Sequence, residues 1–229
     1  MIFITGDTHG THDYGKVMSF AAKHKDLTRD DYLIICGDFG AVWEKGMLKQ
    51  DLRSYTKLHC TVLFVDGNHE NFDLLATFPV EEWKGGKIHK VADNVFHLMR
   101  GQVYTIEGKT FLTFGGATSI DRIYRIEGKS WWSDELPTYV DLEEARKNLA
   151  PFGNKVDYIV THSCDERALY YPPLRGRDFQ AETYPENYLL NALEESVDYG
   201  HWFFGHYHMD GDLIEGRKTV LYQNVVRLV

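Results

Sequence analysis

Nowhere in these 229 residues does an apolar run approach the roughly 20 residues that a membrane span requires. The start, Met-Ile-Phe-Ile-Thr-Gly, carries no basic region and no apolar stretch of signal length, so a cytoplasmic protein that engages no membrane is expected. Cysteine is scarce: Cys36, Cys60 and Cys164 are too few and too scattered for a disulfide framework and read as reduced thiols filling a core. Positive charge is also short, with 25 Lys and Arg against 34 Asp and Glu and a net charge of -9 with the histidines neutral. No basic stripe is visible, which argues against a protein that holds duplex nucleic acid through its phosphates. Repeats, low-complexity tracts and linkers are missing too, so residues 1–229 read as one domain. Loop insertions are expected around 119–138 and 164–183, both rich in aromatics and arginines.

What is present is a series of short, continuous, β-branched and aromatic runs: Ile2–Thr5, Tyr32–Cys36, Thr61–Val65, Tyr158–Thr161 and His201–Phe204. Such runs read as strands buried on both faces. Between the first three lie helical patterns, Val17, Phe20, Ala21 and His24 on one face and Met47, Leu48, Leu52 and Tyr55 on another. Strand, helix, strand, helix, strand is the grammar of a parallel sheet. From 85 to 115 the pattern changes to hairpins, notably Val103–Ile106 and Thr110–Phe114 about a turn at Glu107-Gly108. A similar pair, Asp212–Ile214 and Thr219–Tyr222, turns at Glu215-Gly216. Two more helices are expected, one opened by a capping box of Asp141 with Glu144, the other by Thr183 with Glu186.

Each buried strand runs into a polar cluster: Gly6-Asp7-Thr8-His9-Gly10, Gly37-Asp38-Phe39-Gly40, Gly67-Asn68-His69-Glu70, Thr161-His162-Ser163 and Gly205-His206-Tyr207-His208. In an open α/β sheet ligands bind beyond the carboxyl ends of the strands, so all five clusters are placed to converge. Two carboxylates, one amide and several imidazoles, with no thiolate, suit Mn, Fe, Zn or Ni ions rather than Ca or a Cys-rich structural zinc. The set is too large for one tetrahedral ion, whereas two ions sharing a carboxylate use it naturally. Two such ions can clamp the attacking and leaving oxygens of an in-line displacement at phosphorus.

The bland readings are weaker in this company. Asp7 alone would read as a helix cap, and Asn68 alone as a turn residue. His12, His24, His59, His89, His97 and His201 read as surface or core histidines. His206 and His208, two residues apart at a strand exit, are expected to point the same way.

In its order and spacing, the series Asp7-x-His9, Gly37-Asp38, Gly67-Asn68-His69-Glu70, His162 and Gly205-His206-x-His208 resembles the calcineurin-like metallophosphoesterase superfamily, from residue 6 to residue 208. The resemblance implies an α/β fold, a four-layer αββα sandwich of two mixed β-sheets flanked by helices. It implies one ion on Asp7, His9, Asp38 and His208 and another on Asp38, Asn68, His162 and His206, with Asp38 bridging. The two divalent ions would be manganese, with iron, zinc or nickel as alternatives. His69 would sit by the phosphate without ligating metal, stabilising the transition state or protonating the leaving oxygen. In the protein Ser/Thr phosphatase branch the second motif continues to a further Asp and then Arg-Gly. Here Phe39-Gly40-Ala41-Val42-Trp43 follows, with neither, which argues against protein phosphatase activity and leaves Glu70 or Glu44 to orient His69.

The expected function is hydrolysis of a phosphomonoester or phosphodiester by in-line attack of a metal-bridging hydroxide, with Asp38 and His69 central. The substrate would be small and phosphorylated, a nucleotide among the candidates, and bound by Arg125, Asn68 and His69. The alternatives are a nuclease or nucleotide phosphodiesterase of the same superfamily and a non-catalytic binding module on the same fold. The first insertion carries Arg122, Arg125, Trp131 and Trp132, readable as core or as a substrate wall. The second carries Arg167, Tyr170, Tyr171, Pro172, Pro173, Arg175 and Arg177, readable as a lid or a partner surface.

Overall fold

The computed structural model describes residues 1–172, 174–176 and 183–228; Pro173 and Arg177 of the second insertion lie outside the described residues. The strands are β1 (Ile2–Thr5), β2 (Tyr32–Ile35), β3 (Thr61–Phe64), β4 (Val80–Trp83), β5 (Gly86–Ala92), β6 (Val95–Leu98), β7 (Gln102–Ile106), β8 (Lys109–Phe114), β9 (Lys155–Thr161), β10 (Asp198–Phe204), β11 (Gly211–Leu213), β12 (Lys218–Val220) and β13 (Val225–Arg227). They form a seven-stranded sheet in the order β13-β1-β2-β3-β6-β5-β4 and a six-stranded sheet in the order β11-β12-β10-β9-β8-β7. The three principal helices are α1 (Gly15–Lys23), α2 (Tyr139–Leu149) and α3 (Pro185–Glu194).

The five apolar runs are the parallel hearts of the two sheets. β1 pairs with β2, and β2 with β3, in parallel, so Thr5, Ile35 and Phe64 end level. In the second sheet β9 runs parallel to both β8 and β10. Every residue of β1, β2 and β3 is buried, as their unbroken apolar character requires. Ile2, Ile4, Ile34 and Leu63 of the first sheet meet Tyr104, Phe111, Val160 and Phe203 of the second in a core between the sheets. The opposite faces are covered by helix, α1 through Val17 and Phe20 on the first sheet, α2 and α3 through Leu142, Leu149, Leu189 and Leu193 on the second. The result is two mixed sheets inside two helical layers, the αββα sandwich.

Several local expectations shift. The 47–55 pattern forms two helical turns, Leu48–Asp51 and Arg53–Thr56, with Leu52 and Tyr55 buried in the core, Leu48 packed against it and Met47 exposed outside the turns. α2 starts three residues early: Asp141 Oδ2 accepts from the Thr138 backbone N–H and hydroxyl at 2.7 and 2.8 Å, so Asp141 closes the box rather than opening it. α3 starts at Pro185, whose fixed φ suits a first turn, with Asn187 Oδ1 accepting the Tyr184 N–H at 2.7 Å. Glu186 turns inward to Thr118 instead. The Glu107-Gly108 turn has both residues at positive φ, the twist a two-residue hairpin needs. Among the described residues no helix is long and apolar enough to cross a membrane.

Candidate metal centre

Parallel register delivers the loop tips to one end of the sandwich, where two sheets bring Asp7, Asp38 and Asn68 against His162, His206 and His208. Four of the tips interlock through backbone N–H groups. The His69 N–H donates to Asp38 Oδ1 at 2.8 Å, the His206 N–H to Asp7 Oδ1 at 2.9 Å, and the Thr8 and His9 N–H groups to the Asp38 carbonyl at 3.0 and 2.9 Å. A Cβ on Gly67 would fall 2.1 Å from Asp38 Oδ1 and one on Gly205 would fall 2.2 Å from Asp7 Oδ1. These two glycines therefore make room for a carboxylate of another loop.

Strain gathers at the same place. His9, Asp38, His206 and His208 all have positive φ, between 43° and 67°. A non-glycine residue there costs on the order of 1–3 kcal/mol, and four together persist only where the surroundings enforce them. Because of this backbone, His206 and His208 do not point the same way. His206 packs edge-on to His162, with ring centroids 4.9 Å apart, and His208 packs edge-on to His9 at 5.0 Å.

The deep side consists of Asp38, Asn68 and His162, all buried. His162 Nδ1 lies 2.8 Å from the Cys36 carbonyl, an acceptor, so Nδ1 carries the proton. Nε2 then faces Asn68 Oδ1 at 3.2 Å and Asp38 Oδ1 at 3.3 Å, both acceptors. His9 at the rim repeats the pattern, with Nδ1 2.6 Å from Asp13 Oδ2 and Nε2 3.2 Å from Asp38 Oδ2. His208 Nε2 lies 3.3 Å from Asp7 Oδ2, a buried oxygen that no other group among the described residues reaches with a hydrogen bond. One candidate ligand atom from each of Asp7, His9 and His208 falls within 4.8 Å of the others, as does one from each of His9, Asp38 and His69.

Nitrogen and oxygen atoms able to share a cation thus converge, and their chemistry tests whether the residues fit one. Protons are one answer. Burial opposes charge on both rings, yet the Asp38 carboxylate carries His9 up to about 9 and His162 up to about 10. Burial also works against the Asp38 charge, but His162 and His9 hold that carboxyl well below its usual range. Divalent cations would neutralise the same carboxylates and leave the rings unprotonated, each with its second nitrogen facing Asp13 or a carbonyl, the usual second-sphere arrangement of a metal-bound histidine. The donor set fits.

His69 stands apart. Its ring nitrogens face the Arg125 guanidinium, Nδ1 at 3.4 Å from Nη1 and Nε2 at 3.5 Å from Nη2. Burial, together with that cation and despite Asp38, holds His69 below its ordinary value. Arg125 is braced by Asp121, Nε to Oδ1 2.7 Å, and by the Ser130 carbonyl at 3.0 Å. Neither expected partner orients His69. Glu70 turns away to accept the Phe39 and Gly40 N–H groups at 2.7 and 3.3 Å, tying the third tip to the second, and Glu44 is exposed. Trp132 is core, with its indole N–H on Asp73 at 2.8 Å, while Trp43 lines the cleft. That cleft, about 530 Å³, is walled by His9, His12, Asp13, Trp43, Asp51, His69 and His208.

Sequence reasoning passed over Asp13, Asp66, Arg100, Ser119 and Glu135. Asp13 lies four residues past His9, a spacing that pointed to it. Asp66, beside Gly67-Asn68, is buried and holds His97 Nε2 at 3.0 Å and Arg100 Nε at 2.8 Å. Burial opposes its charge, but Arg100 and His97 hold its carboxyl far below the usual range. Nothing local to Arg100, Ser119 or Glu135 signals a role, since their partners lie 16 or more residues away. The three cysteines are free and buried, and burial pushes the Cys164 thiol up, as a core thiol requires.

The family model of the calcineurin-like phosphoesterases matches residues 1–210 of the chain. No curated protein matches it. Among solved structures, it is similar to a protein of unknown function from Aquifex aeolicus (15% identity, 87% of each chain covered, TM-score 0.39). It is also similar to the phosphopantetheinyl hydrolase from Mycobacterium tuberculosis (18% identity, 96% of this chain and 87% of that one, TM-score 0.43).

Proposed function

The chain belongs to the calcineurin-like phosphoesterase family, and from that membership and the geometry of its loop tips we propose that it hydrolyses a small phosphoester at a centre of two divalent cations. The observation that carries this is the convergence of imidazole nitrogens on Asp38 from both sides, His9 on Oδ2 and His162 on Oδ1. Asp7, His9, Asp38 and His208 would hold one cation; Asp38, Asn68, His162 and His206 would hold the other. Cations bound there supply an acidified water and offset charge on the phosphoryl oxygens.

This chain's own side chains do the rest. Neutral at pH 7, His69 offers a ring N–H to a phosphoryl or leaving oxygen and acts as a hydrogen-bond donor rather than as an imidazolium acid. Arg125, fixed by Asp121 and Ser130, retains N–H groups for a phosphoryl oxygen beside His69. The leaving group would lie in the cleft against Trp43, whose flat face favours an aromatic or nucleotide group.

The test strips the protein with a chelator, restores Mn, Ni, Zn or Mg, and assays p-nitrophenyl phosphate and bis-p-nitrophenyl phosphate. Metal-dependent turnover of at least one is expected, with no cleavage of duplex DNA. Cation binding without turnover of either ester would leave the binding-module reading.

A further inference from the structure

Asn68 can serve a cation only through Oδ1, since its NH2 end would repel one. The two ends of an amide are nearly the same shape, so its neighbours must select which end faces His162. Asn68 Nδ2 lies 3.4 Å from Ser119 Oγ. A hydroxyl can donate or accept, and a donating Ser119 would favour the opposite amide orientation, with NH2 turned to His162.

The Ser119 proton is committed elsewhere. Ser119 Oγ lies 2.8 Å from Glu135 Oε2, and the Ser119 backbone N–H donates to Glu135 Oε1 at 2.7 Å. Both oxygens of one buried carboxylate are thus spent on a single residue, and Ser119 Oγ is left facing Asn68 as an acceptor. Arg100 fixes the other side of Glu135, with Nη2 donating to the Asp134 and Glu135 carbonyls at 2.8 and 3.1 Å, while the same guanidinium holds Asp66, two residues before Asn68. Ser119, Glu135 and Asn68 are all buried. The neighbouring Thr118 is clamped identically, its N–H and hydroxyl on Glu186 at 3.0 and 2.7 Å, yet among the described residues that clamp makes no hydrogen bond to any of the expected ligands.

Resting on the reading of Asn68 as a cation ligand, we propose that Ser119 and Glu135 are positioning residues that select the Asn68 orientation with its carbonyl toward His162 and Asp38. The first insertion is then part of the second cation's site. The twin clamp supplies the control. Ser119→Ala is expected to weaken one of two Mn equivalents about tenfold, leaving the other unchanged. In the metal-free protein it is expected to speed hydrogen exchange of the Asn68 side-chain amide followed by NMR. Glu135→Gln is expected to give the same selective loss: its carbonyl goes to the Ser119 N–H, its NH2 faces Ser119 Oγ, and the hydroxyl turns its proton to Asn68. Thr118→Val is expected to lower thermal stability and leave both readouts in place. Ser119→Ala that binds both Mn equivalents as the wild type does, or that behaves like Thr118→Val, overturns the proposal. If the wild type takes up no second equivalent, the two-cation reading falls, and the metal-free exchange still decides whether Ser119 orients Asn68.

Discussion

The two halves of the candidate centre are built differently. His162, Asp38 and Asn68 are buried, and each is held by another group: the Cys36 carbonyl, the His69 N–H and Ser119. At the rim, His9 is partly exposed, its side chain at 17%, and His208 is half exposed at 46%, with both rings bordering the cleft. A rigid, desolvated donor set loses little freedom on binding and is screened little by solvent, whereas a rim set adapts and exchanges with solvent. A tight deep cation and a weaker rim cation next to the substrate are therefore expected.

The largest effect should come from the residue common to both halves. Asp38→Ala is expected to abolish turnover and remove both cations, read by metal content and by phosphoesterase assay, with circular dichroism checking the fold. Retention of both cations would erase the distinction between the halves. Next come the single-sided variants. His162→Gln should cost the deep cation about a hundredfold or more in affinity, and His208→Gln should cost the rim cation while sparing the deep one. Calorimetric titration separates the two, and equal losses in both variants would mean that the halves act as one site. Arg125→Ala, which touches neither set of expected ligands, should raise KM roughly tenfold, about 1.4 kcal/mol, with a smaller change in kcat, and Arg125→Lys should not restore it. An unchanged KM would place Arg125 outside the substrate's reach.

The smallest effect lies outside both halves and guards the comparison at low pH. Burial, with the His97 ring stacked beside it, pushes His89 down to about 4 from an ordinary value of 6.5. The fold thus favours its neutral ring, and that contribution is whole above about pH 6.5 and lost as pH falls toward 4. Thermal unfolding should weaken across that window, and His89→Gln should flatten the slope. An unaltered slope would assign the acid loss to other groups.

Much of this organisation was legible in the sequence because it is local. Ile2–Thr5, Tyr32–Ile35 and Thr61–Phe64 are runs with no polar face, and a glycine with a polar tip behind each marks where the chain leaves the sheet. What escaped depends on distant partners. Val225–Arg227 returns to pair with β1, a choice made by how the chain closes rather than by those three residues. The start of α2 is ambiguous in the sequence because Thr138/Asp141 and Asp141/Glu144 satisfy the same spacing, and only the backbone decides which pair bonds. His206 and His208 separated because positive φ at both breaks the alternation that a strand exit would impose. Glu70 and Glu135 carry no mark of whether they face the site or brace it. Burial against backbone N–H groups settles that, and it arises only in the folded chain.

Anomalous scattering from crystals equilibrated with saturating manganese measures the central claim most directly. Two peaks flanking the Asp38 carboxylate, one against His9 and His208 and the other against Asn68 and His162, are the predicted result. A single peak, or none, would contradict it.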